Sequence, residues 1–130
     1  VVAFGQRNFK RLVAYSSISH LGFVVLGIAT RDEMGFRGAV LQMVNHGLAT
    51  GALFLLAGMI QRRTDTLSLN LLGGLWGRMP AIGGFLLFFS LASLGLPGTG
   101  SFVGELYIVA GAFNNTAFLG TLAAIGVLLA

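Results

Sequence analysis

The chain contains no cysteine, which excludes disulfides, thiolate metal sites and cysteine-held iron–sulfur clusters and leaves the redox compartment open. Charge is scarce as well: 9% of the 130 residues are Asp, Glu, Lys or Arg, against about 25% in an ordinary soluble domain. No GxSxG elbow, Walker loop or HExxH motif occurs, so the common hydrolase, nucleotide-binding and zinc-protease signatures are absent. What is present is apolar: hydrophobic residues make up 55% and the mean hydropathy is +0.87. This is the composition of a membrane protein, and the bilayer is its expected surroundings.

The few charges cluster and leave four uncharged stretches, Leu12 to Thr30, Gly38 to Gln61, Met79 to Gly104 and Leu106 to Ala130. Each approaches or exceeds the roughly 20 apolar residues that a spanning helix needs. The net charge of +4 and pI near 10.8 come from basic residues scattered among loops, with no basic stripe and no aromatic interleaving, so no nucleic-acid partner is expected. The chain opens without an initiator Met or signal peptide and begins and ends in apolar sequence, the pattern of an internal piece of something longer.

The expected fold is all-α, a polytopic transmembrane helix bundle with one discontinuous helix, forming a single partial membrane domain over residues 1–130. The first helix is expected over 8–30, polar in its entry half (Tyr15, Ser16, Ser17, Ser19, His20) and apolar beyond. A second is expected over 36–61, where Gln42, His46 and Thr50 recur every four positions and so share a face. Gly47, Gly51 and Gly58 form a neighbouring small-residue face of the kind that lets membrane helices approach closely. Residues 62–79 form an interfacial connection too short to span, with Trp76 beside Arg78 at the interface.

Pro80 suits the first position of a third helix, which the run Leu96-Pro97-Gly98-Thr99-Gly100 interrupts. The broken helix covers 80–113, and a further helix begins over 117–130. Broken helices of this kind mark ion and substrate sites in transporters, because non-helical backbone at membrane depth needs protein or water to satisfy it. Arg7, Lys10, Arg11, Arg62, Arg63 and Arg78 lie at one set of helix ends, against Arg31 and Arg37 at the other. The first side is therefore expected to be cytoplasmic or its topological equivalent.

From Met79 to Ala130 the only charged residue is Glu105, just past the break. An intramembrane acid costs at least about 2.5 kcal/mol on the mildest insertion scale and is by default a functional-site hypothesis. With Ser101 as N-cap, Glu105 would sit in the first turn of the second half-helix, where the dipole favours a carboxylate while burial favours the neutral acid. Opposed terms of that kind leave a carboxyl able to switch protonation state. The alternative is a structural glutamate, permanently protonated or salt-bridged; the adjacent break favours proton or ion handling.

His20 and His46 both fall near mid-span, and imidazole, with an unperturbed pKa of roughly 6.5, suits proton exchange near neutrality. For His20 the residues leave relay and interhelical hydrogen bonding equally open. For His46, the shared face with Gln42 and Thr50 favours function. Two histidines far apart in sequence with no cysteine make a poor metal site, and none is expected.

The strings Asn8 to Gly22, Asn45-His46-Gly47-Leu48 and Leu94 to Glu105 resemble the antiporter-like proton-pumping membrane subunits of respiratory complex I. The likeness covers about the whole chain. Related subunits typically carry Lys after the broken helix, whereas Glu105 in a Gly-x-Phe-Val-Gly-Glu context resembles the chain M, or chain 4, branch of NADH:quinone oxidoreductase. The resemblance implies a bundle of about fourteen helices with two inverted repeats, this chain covering most of the second, with channel lysines and a further key glutamate upstream of Val1. It transfers to Glu105 the terminal place on a proton path and to His20 and His46 places on the same hydrophilic axis, with Gln42, Thr50, Pro97, Gly98 and Ser101 in support. At position 8 many members have Asp where this chain has Asn, a departure that bears on loop contacts.

The implied function is proton translocation across a bacterial cytoplasmic membrane, or the equivalent organellar membrane, by a subunit with no redox centre of its own. NADH, FMN, iron–sulfur clusters and quinone are expected on partner subunits, the partners being other membrane subunits and the peripheral arm. Two alternatives stay open: a subunit of a multisubunit cation/proton antiporter or membrane-bound hydrogenase, and a structural scaffold in which Glu105 and the histidines are interhelical glue.

Overall fold

A computed structural model describes residues 2–129. It is built from helices: a 3-10 turn, Val2–Gly5, then α1 (Phe9–Ala29), α2 (Glu33–Thr64), α3 (Leu75–Arg78), α4 (Pro80–Ser93), α5 (Gly100–Asn115) and α6 (Ala117–Leu129). Among the described residues there is no strand, the one β feature being an isolated bridge between Asn8 and Ser68. The helix expected over 117–130 reaches Leu129 here, Ala130 lying outside the described residues.

Local chemistry sets the helix ends. Asn8 caps α1, its Oδ1 accepting from the N–H groups of Lys10 (3.0 Å) and Arg11 (3.4 Å), a task Asn performs as well as Asp. Residue 8 thus acts locally, on the start of α1. The turn into α2 is short: Arg31 takes a left-handed φ of 51°, and Asp32 Oδ2 accepts from Met34 N (3.0 Å) and Gly35 N (3.4 Å).

Asp32 corrects the expected start of the second helix, which begins at Glu33 rather than at 36 and runs on to Thr64 rather than 61. The charges read as loop punctuation belong to the helix. Glu33 sits in its first turn and Arg62 and Arg63 in its last, where the macrodipole favours each sign. At 32 residues the helix is about 48 Å long, so these ends project beyond a hydrocarbon layer of about 30 Å.

By length and apolarity α1 and α2 each qualify as a membrane span, while α4 and α6 are shorter apolar helices. α4, with 14 residues, and α5, with 16, are each too short to cross alone. The break between them, Leu94 to Thr99, contains Gly95 (φ 66°) and Gly98 (φ 99°), conformations glycine adopts without the Cβ penalty. Its backbone is partly satisfied internally, Thr99 N donating to Leu96 O at 3.0 Å and Gly95 N to Ala92 O at 3.3 Å.

The segment between α2 and α4 is more than a surface connection. Phe9 N donates to Leu67 O (3.0 Å) and Leu69 N to Arg7 O (2.8 Å), and Leu67 is buried with Phe9, Val13, Leu53 and Ala57. These bonds, and that from Lys10 Nζ to Gln61 Oε1 (2.8 Å), gather the start of α1 and the end of α2 at one end of the bundle.

α2 packs most extensively against α5, and glycines make the contact close. A Cβ at Gly38 would lie 2.8 Å from Gly104 O and Ile108 N, and one at Gly111 would lie 2.5 Å from Gly35 N. The expected small-residue face at Gly47, Gly51 and Gly58 is corrected: a Cβ at any of the three would meet nothing within 4 Å. The close approach is made by the α2 glycines nearer its N-terminus, because that is where the α5 glycines lie opposite.

Candidate functional site

Three helices converge just beyond the break. Glu105 of α5, His20 of α1 and Gln42 of α2 are all buried, at 5%, 5% and 0% relative exposure. Gln42 Nε2 donates to Glu105 Oε1 at 3.3 Å. His20 Nδ1 lies 3.4 Å from the same oxygen, within ion-pairing reach but without hydrogen-bond alignment, so that His20 Nδ1 and Gln42 Oε1 are the buried polar side-chain atoms left without a partner among the described residues.

Small residues make the convergence possible. A Cβ at Gly104 would lie 2.8 Å from Gln42 Oε1, and one at Gly95 would lie 2.8 Å from Glu105 Oε2. Gly104 therefore lets the Gln42 carboxamide lie across α5. Gly95 lets the carboxylate rest against the interrupted backbone, which ties the acid physically to the break.

The array continues along α2. The rings of His20 and His46 lie with centroids 5.0 Å apart and tilted by 37°, and Thr50 Oγ1 is 3.2 Å from His46 Nε2. The i, i+4 spacing of Gln42, His46 and Thr50 thus places one end of the face at the carboxylate and the other a turn beyond the second imidazole. The polar order in space is Gln42, Glu105, His20, His46, Thr50.

The expected capping of α5 is corrected. Its N-cap is Thr99, in extended conformation (φ −99°, ψ 153°), with Ser101 buried inside the helix. Thr99 makes no side-chain cap bond, since its hydroxyl donates back to Leu96 O at 2.8 Å. Helical geometry starts at Gly100, so Glu105 lies beyond the first turn, where the dipole has weakened. Contact with Gln42 and His20, rather than the helix end, is what surrounds the carboxylate. Pro97 and Gly98 are exposed and shape the break.

Two contributors escaped the sequence reading. Gly95 gave no signal beyond its place ahead of the Pro-Gly pair. Asn45, whose carboxamide a Cβ at Gly100 would strike, packs over the start of α5 and donates to Leu41 O at 2.9 Å; its position mid-helix beside His46 was the available hint. No group of three or more His, Cys, Asp or Glu is arranged to hold a metal among the described residues.

Chemically, one proton moved between His20 Nδ1 and Glu105 Oε1 interconverts a neutral pair and an ion pair across 3.4 Å. The family profile described as NADH:quinone oxidoreductase/Mrp antiporter, transmembrane, matches residues 1–130. The chain belongs to this family. Among curated members of the NADH-quinone oxidoreductase group, subunit M of Pseudomonas aeruginosa is 47% identical over 130 residues, covering 100% of this chain and 26% of that protein. Subunit M of Escherichia coli K12 is 42% identical over 129 residues, 99% of this chain and 25% of that protein. NAD(P)H-quinone oxidoreductase chain 4 1 of a Synechococcus strain is 47% identical over 136 residues, with 99% and 26% covered. The chain thus spans about a quarter of the length of these relatives, and the family's transmembrane character accords with the two long apolar helices.

Proposed function

We propose that this chain forms part of the proton-translocating core of a complex I membrane subunit of the chain M type. It carries protons without redox chemistry of its own. NADH, FMN, iron–sulfur clusters and quinone belong, in this reading, to partner subunits of the peripheral arm and neighbouring membrane subunits. The membrane is the bacterial cytoplasmic membrane or its organellar equivalent, with the ends bearing Lys10, Arg11, Arg62 and Arg63 on the cytoplasmic side.

The observation that carries the reading is the direct approach of Glu105 to His20 and Gln42 inside otherwise apolar helices. A carboxylate and an imidazole at 3.4 Å exchange a proton with little movement of heavy atoms, and His46 behind His20 extends the exchange along α2. Gln42 also holds the acid, donating from Nε2 to the same Oε1 at 3.3 Å. Membership in the family and likeness to subunits named NADH-quinone oxidoreductase support the assignment to that complex.

The test is Glu105→Gln in the full-length subunit, assembled in its complex in inverted membrane vesicles. NADH-driven acidification is expected to fall by at least about a hundredfold, the scale of a lost proton-transfer group, while the complex assembles. Acidification at the wild-type rate in assembled complex would overturn the reading in favour of a scaffold.

A further inference from the structure

Among the described residues the largest fully buried side chains are Ile60, Ile108 and Gln42, and only the last is polar. A carboxamide has a donor end and an acceptor end. Here Nε2 donates to Glu105 Oε1 at 3.3 Å, while Oε1 has no partner among the described residues. Which end of the amide can serve Glu105 depends on the charge of the acid. An ionised carboxylate only accepts, so it takes the N–H; a carboxylic acid has an O–H to give, and only the carbonyl end can receive it.

Glutamine can answer both states. A half turn about its last torsion, which is broad and roughly two-fold, exchanges the N–H and carbonyl ends within nearly the same volume. Room for that turn lies on the α5 side, because Gly104 carries no side chain where a Cβ would stand 2.8 Å from Gln42 Oε1. Either orientation bonds one end to Glu105 and leaves the other beside Gly104, so the two arrangements make the same number of bonds to the acid.

His20 gives the turn a consequence. Its Nδ1 stands 3.4 Å from the same Oε1, so a proton received there can lie toward the ring or toward the amide. A neutral imidazole takes a proton back near neutrality, whereas an amide oxygen accepts the hydrogen bond and leaves the proton where it is. The titratable group facing Glu105 from α1 is His20, and α2 adds His46 behind that ring, centroids 5.0 Å apart. α4 and α6 carry no titratable side chain.

We propose that Gln42 is a positioning residue that reads the protonation state of Glu105: its carboxamide donates to the carboxylate, turns when the acid forms, and then holds the acid proton away from His20. The idea rests on the proton-translocating reading and adds direction to it. In the step concerned, His20 protonated at both nitrogens gives its Nδ1 proton to Glu105 Oε1. The ring ends neutral, the carboxylate ends as the neutral acid, and no other covalent bond changes. The O–H then points at Gln42 Oε1, and when the acid gives up its proton the N–H returns to the carboxylate.

Infrared difference spectroscopy of the full-length subunit assembled in its complex reads both partners. Membranes are switched between neutral and acidic buffer, with glutamine carrying a heavy nitrogen isotope in its side-chain amide so that its bands are recognised by their isotope shift. The carboxylic acid band of Glu105, identified by its loss in Glu105→Gln, is expected to appear together with a shift of one glutamine amide band. Gln42→Leu is expected to lose the glutamine shift and keep the acid band at an altered frequency. Gln42→Met, unbranched and adaptable in packing, replaces it if leucine prevents assembly. An acid band with no glutamine shift, a glutamine shift that survives Gln42→Leu, or no acid band at all overturns the proposal.

A second measurement reads direction. Protons that return to His20 are lost to transport but not to electron transfer, so Gln42→Leu is expected to lower the protons moved per NADH oxidised by roughly tenfold. An unchanged ratio overturns the proposal. If either measurement goes against it while Glu105→Gln abolishes NADH-driven acidification, the turning amide falls and the proton-translocating reading stands. If Glu105→Gln pumps at the wild-type rate, the underlying reading falls with it.

Discussion

The two halves of the broken helix are both largely apolar, yet the described residues pack them differently. Of α4, Ile82 and Gly83 are buried, while Phe85, Leu87 and Phe88 stand 53 to 63% exposed. Of α5, Ser101, Gly104, Glu105, Ile108, Gly111 and Ala112 are buried. The difference lies in glycine placed at the spacing of a helix face: Gly104 and Gly111 let the backbone of α2 come against α5, and the acid sits between them. Apolar content therefore says that a half-helix belongs in the membrane. Small-residue spacing says which half lies backbone to backbone against α2.

The sharpest way to break this contrast is to widen the α2–α5 contact. Gly111→Val sets a branched side chain against the Gly35 backbone, 2.5 Å from its N, where no flexible side chain can give way. Overpacking costs about 1–3 kcal/mol, more when backbone must move, so the subunit is expected to be largely lost from assembled complex on native gels. Recovery of normal levels would show that the glycines are not what holds α5.

Gln42→Leu keeps the packing volume near that of Gln and removes the donor to Glu105. Hydrogen bonds to charged groups contribute about 1.5–3 kcal/mol, so NADH-driven acidification should drop by roughly ten- to a hundredfold in complex that still assembles. An unchanged rate would mean that Gln42 merely fills space.

Asp32→Ala removes the cap of α2 at the far end from Gln61. A loss of about 1 kcal/mol is expected, seen as a lower thermal midpoint for dissociation of the subunit, with acidification rates per assembled complex close to normal. The smallest effect belongs to Gly51→Ala, in the part of α2 where a Cβ meets nothing within 4 Å. There a change of zero to about 1 kcal/mol in the stabilising direction is expected from helix propensity, and a marked loss would reveal a neighbour that this chain does not itself provide.

Much of this was legible before any coordinates. Pro80 at the first turn, the Pro97-Gly98 interruption and an isolated acid after it announced a broken helix carrying a charge, because lipid tolerates neither irregular backbone nor a carboxylate without a reason. The every-fourth-residue run of Gln42, His46 and Thr50 announced a polar face. Less legible were the ends: Asp32 and Glu33 read as a loop, since a cap and a loop charge look alike until the N–H groups they accept from are seen. The choice of Thr99 over Ser101 as N-cap turned on backbone torsion, to which the two hydroxyl residue types are nearly equivalent.

The sequence by itself determined that these helices belong in a membrane, that one of them breaks, and that an acid and two histidines lie within its uncharged stretches or at their edge, because transfer free energies and backbone satisfaction depend on residue type and spacing alone. Only the tertiary structure decided that Glu105 meets His20 and Gln42, that Gly95 gives its carboxylate room, and which glycines bring helices together. Those are contacts between residues distant along the chain, and helical periodicity names a face without naming its partner.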